Sequence, residues 1–362
     1  MVADLLEKLT EVVQAENRPR AGYFCTYTPV EILAAAGFAP ARLEPLPEAG
    51  AKVTGFLSPS VCSFVRACLA SVLEGANRDL RALVVAASCT AMMHLYSALL
   101  EAGPAVPIYL LDVPRQAGRS AVTFFAARLQ QLAQELGLSG GYAGREILWE
   151  TIVMYGRVRR VLRDLFGSFT GAGATERRVL LRLAGGIANE RLLDILQEQN
   201  TAGSGSPAGP AILVTGCTIP DAVVSLVEEC GVRVVVDESC SGLRPLLADE
   251  VLEPSGDDPF LILAHRYLCR APCPRMSLES RLAYLLSFAG HYRIDGVIYF
   301  ALKFCDFALH EFPPLRSILE ARGLPVMLVE GEYALAKTGQ MRTRIEAFLE
   351  VVATRGGATV CT

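Results

Sequence analysis

The sequence predicts an α/β chain built from two Rossmann-like, doubly wound domains with parallel sheets. Short β-rich runs alternate with longer helical patterns from end to end, the mark of strands joined by crossover helices. The rhythm of the first half also returns after a Gly/Ser/Pro segment, "NTAGSGSPAGP", at 200–210. With 362 residues the chain has room for two domains of ordinary size.

The opening "MVADLLEKLTEVVQAENRPR" has the alternating charges of an amphipathic helix, without the basic start and apolar centre of a signal peptide. Strands are expected at 52–57 ("KVTGFL"), 82–88 ("ALVVAAS") and 106–112 ("VPIYLLD"). Helices are expected at 62–75, 90–101, 116–137 (ending at a glycine) and 144–166. In the second half, strands fall at 211–216, 232–238, 295–302 and 325–330, and a helix over 338–352 closes the pattern. The expected organisation is an N-terminal α/β domain at 1–165, a helical linker with the Gly/Ser/Pro loop at 166–210, and a C-terminal α/β domain at 211–362.

Composition removes several functions. A formal charge of −4 leaves no electrostatic footprint for nucleic acid or an anionic membrane. No run approaches the ~20 apolar residues of a membrane span. A cytoplasmic location is expected.

The eleven cysteines carry the chemical signal. They are too sparse for a disulfide scaffold, and no CxxC pair occurs. On the expected map Cys62, Cys89, Cys217, Cys240 and Cys305 each fall just past the carboxyl end of a strand. That edge is where open α/β sheets bind ligands, and the helix N-termini there favour thiolates and anionic groups. A small buried thiol also suits a tight β–α turn, which accounts for any one of the five more readily than for the set. Structural zinc takes closely spaced cysteine pairs, which are absent, whereas widely spaced thiols can hold an iron–sulfur cluster. Position alone leaves cluster binding and redox-thiol chemistry both open.

Seven stretches occur in order: "GYFCTYTPVEILAAAGFAPARL" (22–43), "PSVCSFVRACLASVLEG" (59–75), "CTAMMHLYSALL" (89–100), "VVVDESCSGLR" (234–244), "LAHRYLCRAPCP" (263–274), the segment 295–333 around "LKFCDF", and "GQMRTRIEAFLE" (339–350). Through them the chain resembles the 2-hydroxyacyl-CoA dehydratase and benzoyl-CoA reductase family. The resemblance implies two Rossmann-like domains with a 4Fe-4S cubane in the cleft between them, bound by Cys62, Cys89 and Cys305. It further implies a separate ATP-dependent iron–sulfur activator protein that delivers a low-potential electron, and radical dehydration or reduction of an acyl-CoA-type substrate. The family also contains double-cubane proteins with an 8Fe-9S cluster that reduce small molecules. Cys25, Cys240 and Cys273, which lie inside the matching stretches, are the candidates for the second set of thiols, and Cys217 at a strand end is a further spare. Dehydratase members pair as heterodimers of related subunits, double-cubane members as homodimers. A non-catalytic electron-transfer or scaffold subunit, and a metal-free protein with structural thiols, complete the alternatives.

His94 and His310 follow Cys89 and Cys305 by the same five residues, and either is a candidate to donate a proton or a hydrogen bond at a cluster. Glu31, in the first turn of a helix after Cys25, is a third candidate catalytic residue; its alternative role is to complement the helix N-terminus. Arg66 either neutralises cluster charge or solvates a helix face. His265 and His291 read as structural, and the adjacent Asp237 and Glu238 point to opposite sides of a strand and receive no role. "GGYAGRE" (140–146) follows a helix instead of a strand, which rules it out as a phosphate loop, and no Walker motif occurs. ATP would therefore be used by a partner.

Overall fold

A computed structural model of the chain describes residues 2–45, 51–75, 77–168, 172–198, 209–248, 250–334 and 338–356. Most of the 200–210 loop lies outside the described residues, as does Cys361. The elements run α1 (Val2–Gln14), β1 (Arg20–Tyr23), α2 (Val30–Ala35), β2 (Ala39–Arg42), α3 (Ser63–Leu73), β3 (Leu80–Ala87) and α4 (Thr90–Ala102). They continue β4 (Ile108–Asp112), α5 (Arg119–Glu135), α6 (Gly141–Ser168), α7 (Ala174–Gly185), α8 (Glu190–Gln197), β5 (Ala211–Gly216), α9 (Asp221–Glu229) and β6 (Arg233–Glu238). Then follow α10 (Pro259–Cys269), α11 (Leu278–His291), β7 (Gly296–Leu302), α12 (Asp306–Glu320), β8 (Val326–Gly331) and α13 (Thr338–Gly356).

The chain divides into two compact units, and the division is not collinear with the sequence. Unit 1 comprises Met1–Ser168, Val179–Ala202 and Pro245–Arg270, while unit 2 comprises Phe169–Arg178, Gly203–Arg244 and Ala271–Thr362. This differs from the boundaries expected at 165 and 210, chiefly because the 245–270 segment with α10 belongs to unit 1. The reason lies in buried charge: Arg266 on α10 and Arg159 on α6 share Glu250 at 2.7 and 3.0 Å, all three side chains being buried.

Unit 1 holds a four-stranded sheet in the order β2-β1-β3-β4, and unit 2 one in the order β6-β5-β7-β8; every pairing is parallel. Parallel neighbours need a crossover, which the intervening helices supply. Sheets covered on both faces carry continuous apolar runs. Accordingly β5 ("AILVTG") and β7 ("GVIYFAL") are buried at every position. Truncating a side chain such as Phe300, which has no exposure, would cost about 3–5 kcal/mol.

One expected strand is absent. Residues 51–55 form a 3-10 helix, closed by Phe56 and Leu57 N–H groups donating to the Val53 carbonyl. The buried pair is Val53 and Leu57, four apart, which is helical spacing and not alternation. Two real strands fell outside the expectation: β1 has only four residues and begins with an exposed arginine, and β2 contains Pro40. That proline is tolerated because β2 lies at the sheet edge. Among the described residues no helix is long and apolar enough to cross a membrane.

Candidate functional site

Sheet topology decides where the thiols of each unit fall. In unit 1, β1 and β3 are neighbours whose next partners lie on opposite sides, so the switch point, where loops diverge and ligands bind, lies outside their carboxyl ends. Cys25 follows β1 by two residues, in a turn closed by the Thr28 N–H donating to its carbonyl at 3.0 Å. Cys89 follows β3 by two residues and is the N-cap of α4. Cys62 is the N-cap of α3, reached from the 3-10 helix and not from a strand. One and a half turns on, Cys68 is fully buried, and burial, reinforced by Cys62, pushes its thiol well above the ordinary range; it is a core residue.

Unit 2 repeats the pattern. Its switch point lies between β5 and β7, and Cys217 directly follows β5 while Cys305, the N-cap of α12, follows β7 by three residues. The Sγ atoms of Cys217 and Cys305 are 3.7 Å apart. With the Cys217 thiol as donor, Cys305 is held below the usual thiol pKa and Cys217 is driven well above it, burial adding to the latter. Cys273 lies between β6 and β7 ahead of α11, as Cys62 lies between β2 and β3 at the head of α3. Burial raises the Cys273 thiol, against the opposing charge of Arg275. Corresponding positions of the two units therefore carry Cys25, Cys62 and Cys89 in one and Cys217, Cys273 and Cys305 in the other. Cys240, after the edge strand β6, accepts a hydrogen bond from Arg244 Nη1 at 3.3 Å.

Beneath the unit 2 thiols lies buried charge. Glu238 accepts from Arg244 Nε at 2.6 Å, Arg281 Nη1 at 2.9 Å and Thr215 Oγ1 at 2.7 Å, and Arg281 also pairs with Glu311 at 2.6 Å. Asp237 pairs with Arg178 at 2.6 Å. The two carboxylates given no role from sequence are thus the anchors of three fully buried arginines.

The remaining candidates are plainly placed. His94 on α4 and His310 on α12 are both exposed. Five residues along a helix is about 140° around its axis from the N-cap, so neither histidine shares a helix face with the cysteine that precedes it. Glu31 has no exposure; Arg159 pairs with it at 2.7 Å and the Tyr267 hydroxyl donates to it at 2.8 Å. Burial alone would raise its pKa, but Arg159 and Arg266 outweigh it and keep the carboxylate ionised. Held by Arg159 on α6 and Tyr267 on α10, this buried carboxylate ties α2 to both helices.

Among the described residues no group of three His, Cys, Asp or Glu side chains is arranged to hold a single metal ion. The donor set nonetheless suits an iron–sulfur group: Cys62, Cys89 and Cys305 are all thiols, and each sits at a helix N-terminus whose amides favour an anionic ligand. From sequence, Cys217 is only a spare thiol at a strand end, outside the family motifs. Its equivalence to Cys25, each following the first strand of its unit, is the signal that singles it out.

Two parallel sheets with cysteines at their switch points define a doubly wound α/β protein. The chain belongs to the family described as 2-hydroxyglutaryl-CoA dehydratase, D-component, which matches residues 25–352. It is 23% identical over 345 residues to the "(R)-phenyllactyl-CoA dehydratase beta subunit" of Clostridium sporogenes, covering 90% of each chain. It is 26% identical over 366 residues to the "Putative dehydratase subunit YjiM" of Escherichia coli (strain K12), covering 92% of this chain and 91% of that one. It is 21% identical over 345 residues to the "Lactoyl-CoA dehydratase subunit beta" of Anaerotignum propionicum, with 91% of each covered.

Proposed function

We propose that the chain is a subunit of a cytoplasmic acyl-CoA dehydratase that uses a 4Fe-4S cluster held by Cys62, Cys89 and Cys305. An ATP-dependent iron–sulfur activator protein would reduce it, and a related subunit would complete the enzyme, as the beta-subunit names of two relatives suggest. The observation that carries the reading is that these three cysteines are the N-caps of α3, α4 and α12. When bound, the cluster would supply a low-potential electron and an open coordination position toward a thioester substrate. The chain's own part is electrostatic. Helix N-termini stabilise the thiolates and the anionic ligand they hold.

Anaerobic purification with iron and sulfide analysis tests this: about four irons per chain are expected. Cys62→Ser, Cys89→Ser and Cys305→Ser should each lower that count, and three variants with undiminished iron would refute the assignment. A second reading, a double-cubane 8Fe-9S reductase, is favoured by the further thiols of unit 2, where Cys240 and Cys273 act on one another and on Cys217 electrostatically. It requires about eight irons per chain, and a loss on Cys240→Ser and Cys273→Ser.

A further inference from the structure

We propose that Cys217 and Cys305 form a reversible oxidation site: in the cluster-free chain they close to a disulfide, and the bond withholds Cys305 from metal binding. The second half of this statement rests on the assignment of Cys305 as a ligand; the first half does not.

The pair is built by the backbone. β5 and β7 are hydrogen-bonded neighbours, with Gly216 opposite Phe300. Gly216 has φ +141°, and a Cβ there would lie 2.1 Å from the Phe300 carbonyl oxygen, so glycine alone lets the end of β5 approach β7 this closely. Cys217 is the next residue. Its placement is fixed from both sides: Arg244 Nη2 donates to the Gly216 carbonyl at 2.6 Å, and the Cys240 N–H donates to the Cys217 carbonyl at 3.4 Å. Cys305 is equally constrained. Its N–H donates to Leu302 O at 3.0 Å, and its carbonyl accepts from the Leu309 N–H at 3.1 Å. Phe304, just before it, takes a left-handed φ of 62°, a conformation an aromatic residue adopts only when its surroundings impose it.

With both backbones held, closure is a side-chain event. The sulfurs must move from 3.7 Å to the ~2.05 Å of a disulfide, within the sweep of χ1 rotation. Both residues are half-buried, so a small oxidant can reach them while bulk exchange is limited. The co-reactant is a low-molecular-weight disulfide. One protein sulfur attacks it, expelling one small thiol and forming a mixed disulfide; the second sulfur then displaces the other small thiol. Two protein thiols become one S–S bond, and two electrons and two protons leave with the reduced reagent. A metal ligand must be a free thiolate, so the oxidised pair offers no ligand at Cys305.

The test uses the full chain, stripped of metal anaerobically and treated with hydroxyethyl disulfide. Free thiols are then alkylated and peptides mapped by mass spectrometry. The expected result is a linked peptide pair carrying Cys217 and Cys305, reversed by dithiothreitol. Reconstitution with ferrous iron and sulfide should fail for the oxidised chain and recover on reduction. Untreated Cys217→Ser should take up iron as the parent does, and keep that capacity after oxidation. The proposal is overturned if the linked peptides do not form, or if oxidation blocks iron uptake equally in Cys217→Ser. It is also overturned if untreated Cys217→Ser loads less iron than the parent, for then Cys217 is itself a ligand. A linked pair whose formation leaves iron uptake unchanged overturns instead the assignment of Cys305, and with it only the second half.

Discussion

Glu238→Gln isolates what the buried charge of unit 2 contributes. Glu238 is 1% exposed and accepts from Thr215, Arg244 and Arg281, and both arginines are equally buried. Glutamine keeps the volume, removes the charge, and must turn an NH₂ group toward a guanidinium. Removing one partner of a buried ion pair costs about 3–5 kcal/mol, because the other charge is left uncompensated. Arg281 retains Glu311 at 2.6 Å, which places the expected cost near the lower figure. At roughly 2–4 °C per kcal/mol for units of this size, melting should fall by about 6–12 °C in calorimetry of the cluster-free chain. The control is Glu320→Gln, which removes a half-exposed pair with Arg316 on α12 and should cost no more than about 1 kcal/mol. If Glu238→Gln melted no lower than that control, the argument that this network anchors the unit would be wrong.

Three further outcomes follow from the same physics. The pKa of Glu31 is lowered in the folded chain, so the stability it contributes is present above its unfolded value of about 4.3 and is lost as pH falls through the lower folded value. Melting followed from neutral pH downward should therefore drop steeply only in acid, and Glu31→Gln should shed that part of the acid dependence. Gly216→Ala combines a left-handed φ with a backbone clash and should cost more than about 3 kcal/mol; urea midpoints measure it, and a neutral result would contradict the packing of β5 on β7. His94→Ala and His310→Ala remove exposed side chains and should leave stability within about 0.5 kcal/mol. A fall in dehydration rate in either variant, with iron content unchanged, would then report a direct role in proton transfer.

What the sequence disclosed depended on the kind of signal. Six of the eight strands are legible in the sequence: β3, β5 and β7 announce themselves as largely apolar runs because both faces are covered, whereas β1 and β2, the two that escape, are four residues each and carry Arg20 and Pro40. The thiols at strand ends were legible because a cysteine after a β-run needs no long-range information. Pairing Cys217 with Cys305 did need it, since 88 residues separate them and only the strand order brings them together. The buried arginines were invisible for a related reason. Arg178, Arg244 and Arg281 look like surface residues in their local patterns, and their carboxylate partners lie on other elements.

That network suggests why unit 2 keeps charge in its core at all. Arg244 reaches the Gly216 carbonyl at the end of β5, Glu238 at the end of β6 and the Cys240 sulfur. Arg281 reaches Thr215 on β5, Glu238, Glu311 on α12 and the Pro272 carbonyl. Two side chains thus tie the segments that carry Cys217, Cys240, Cys273 and Cys305. Apolar residues of similar volume can match a buried ion pair in stability, but they exert no directional pull on a carbonyl or a sulfur. A ligand site held to a fraction of an ångström needs that direction. We expect Glu238→Leu combined with Arg244→Met, which leaves the buried Arg281–Glu311 pair intact, to melt closer to the parent than Glu238→Gln does, yet to form the Cys217–Cys305 disulfide more slowly under the same oxidant. Faster or unchanged closure in the double variant would mean that the strands alone place the two sulfurs, and that Arg244 serves stability after all.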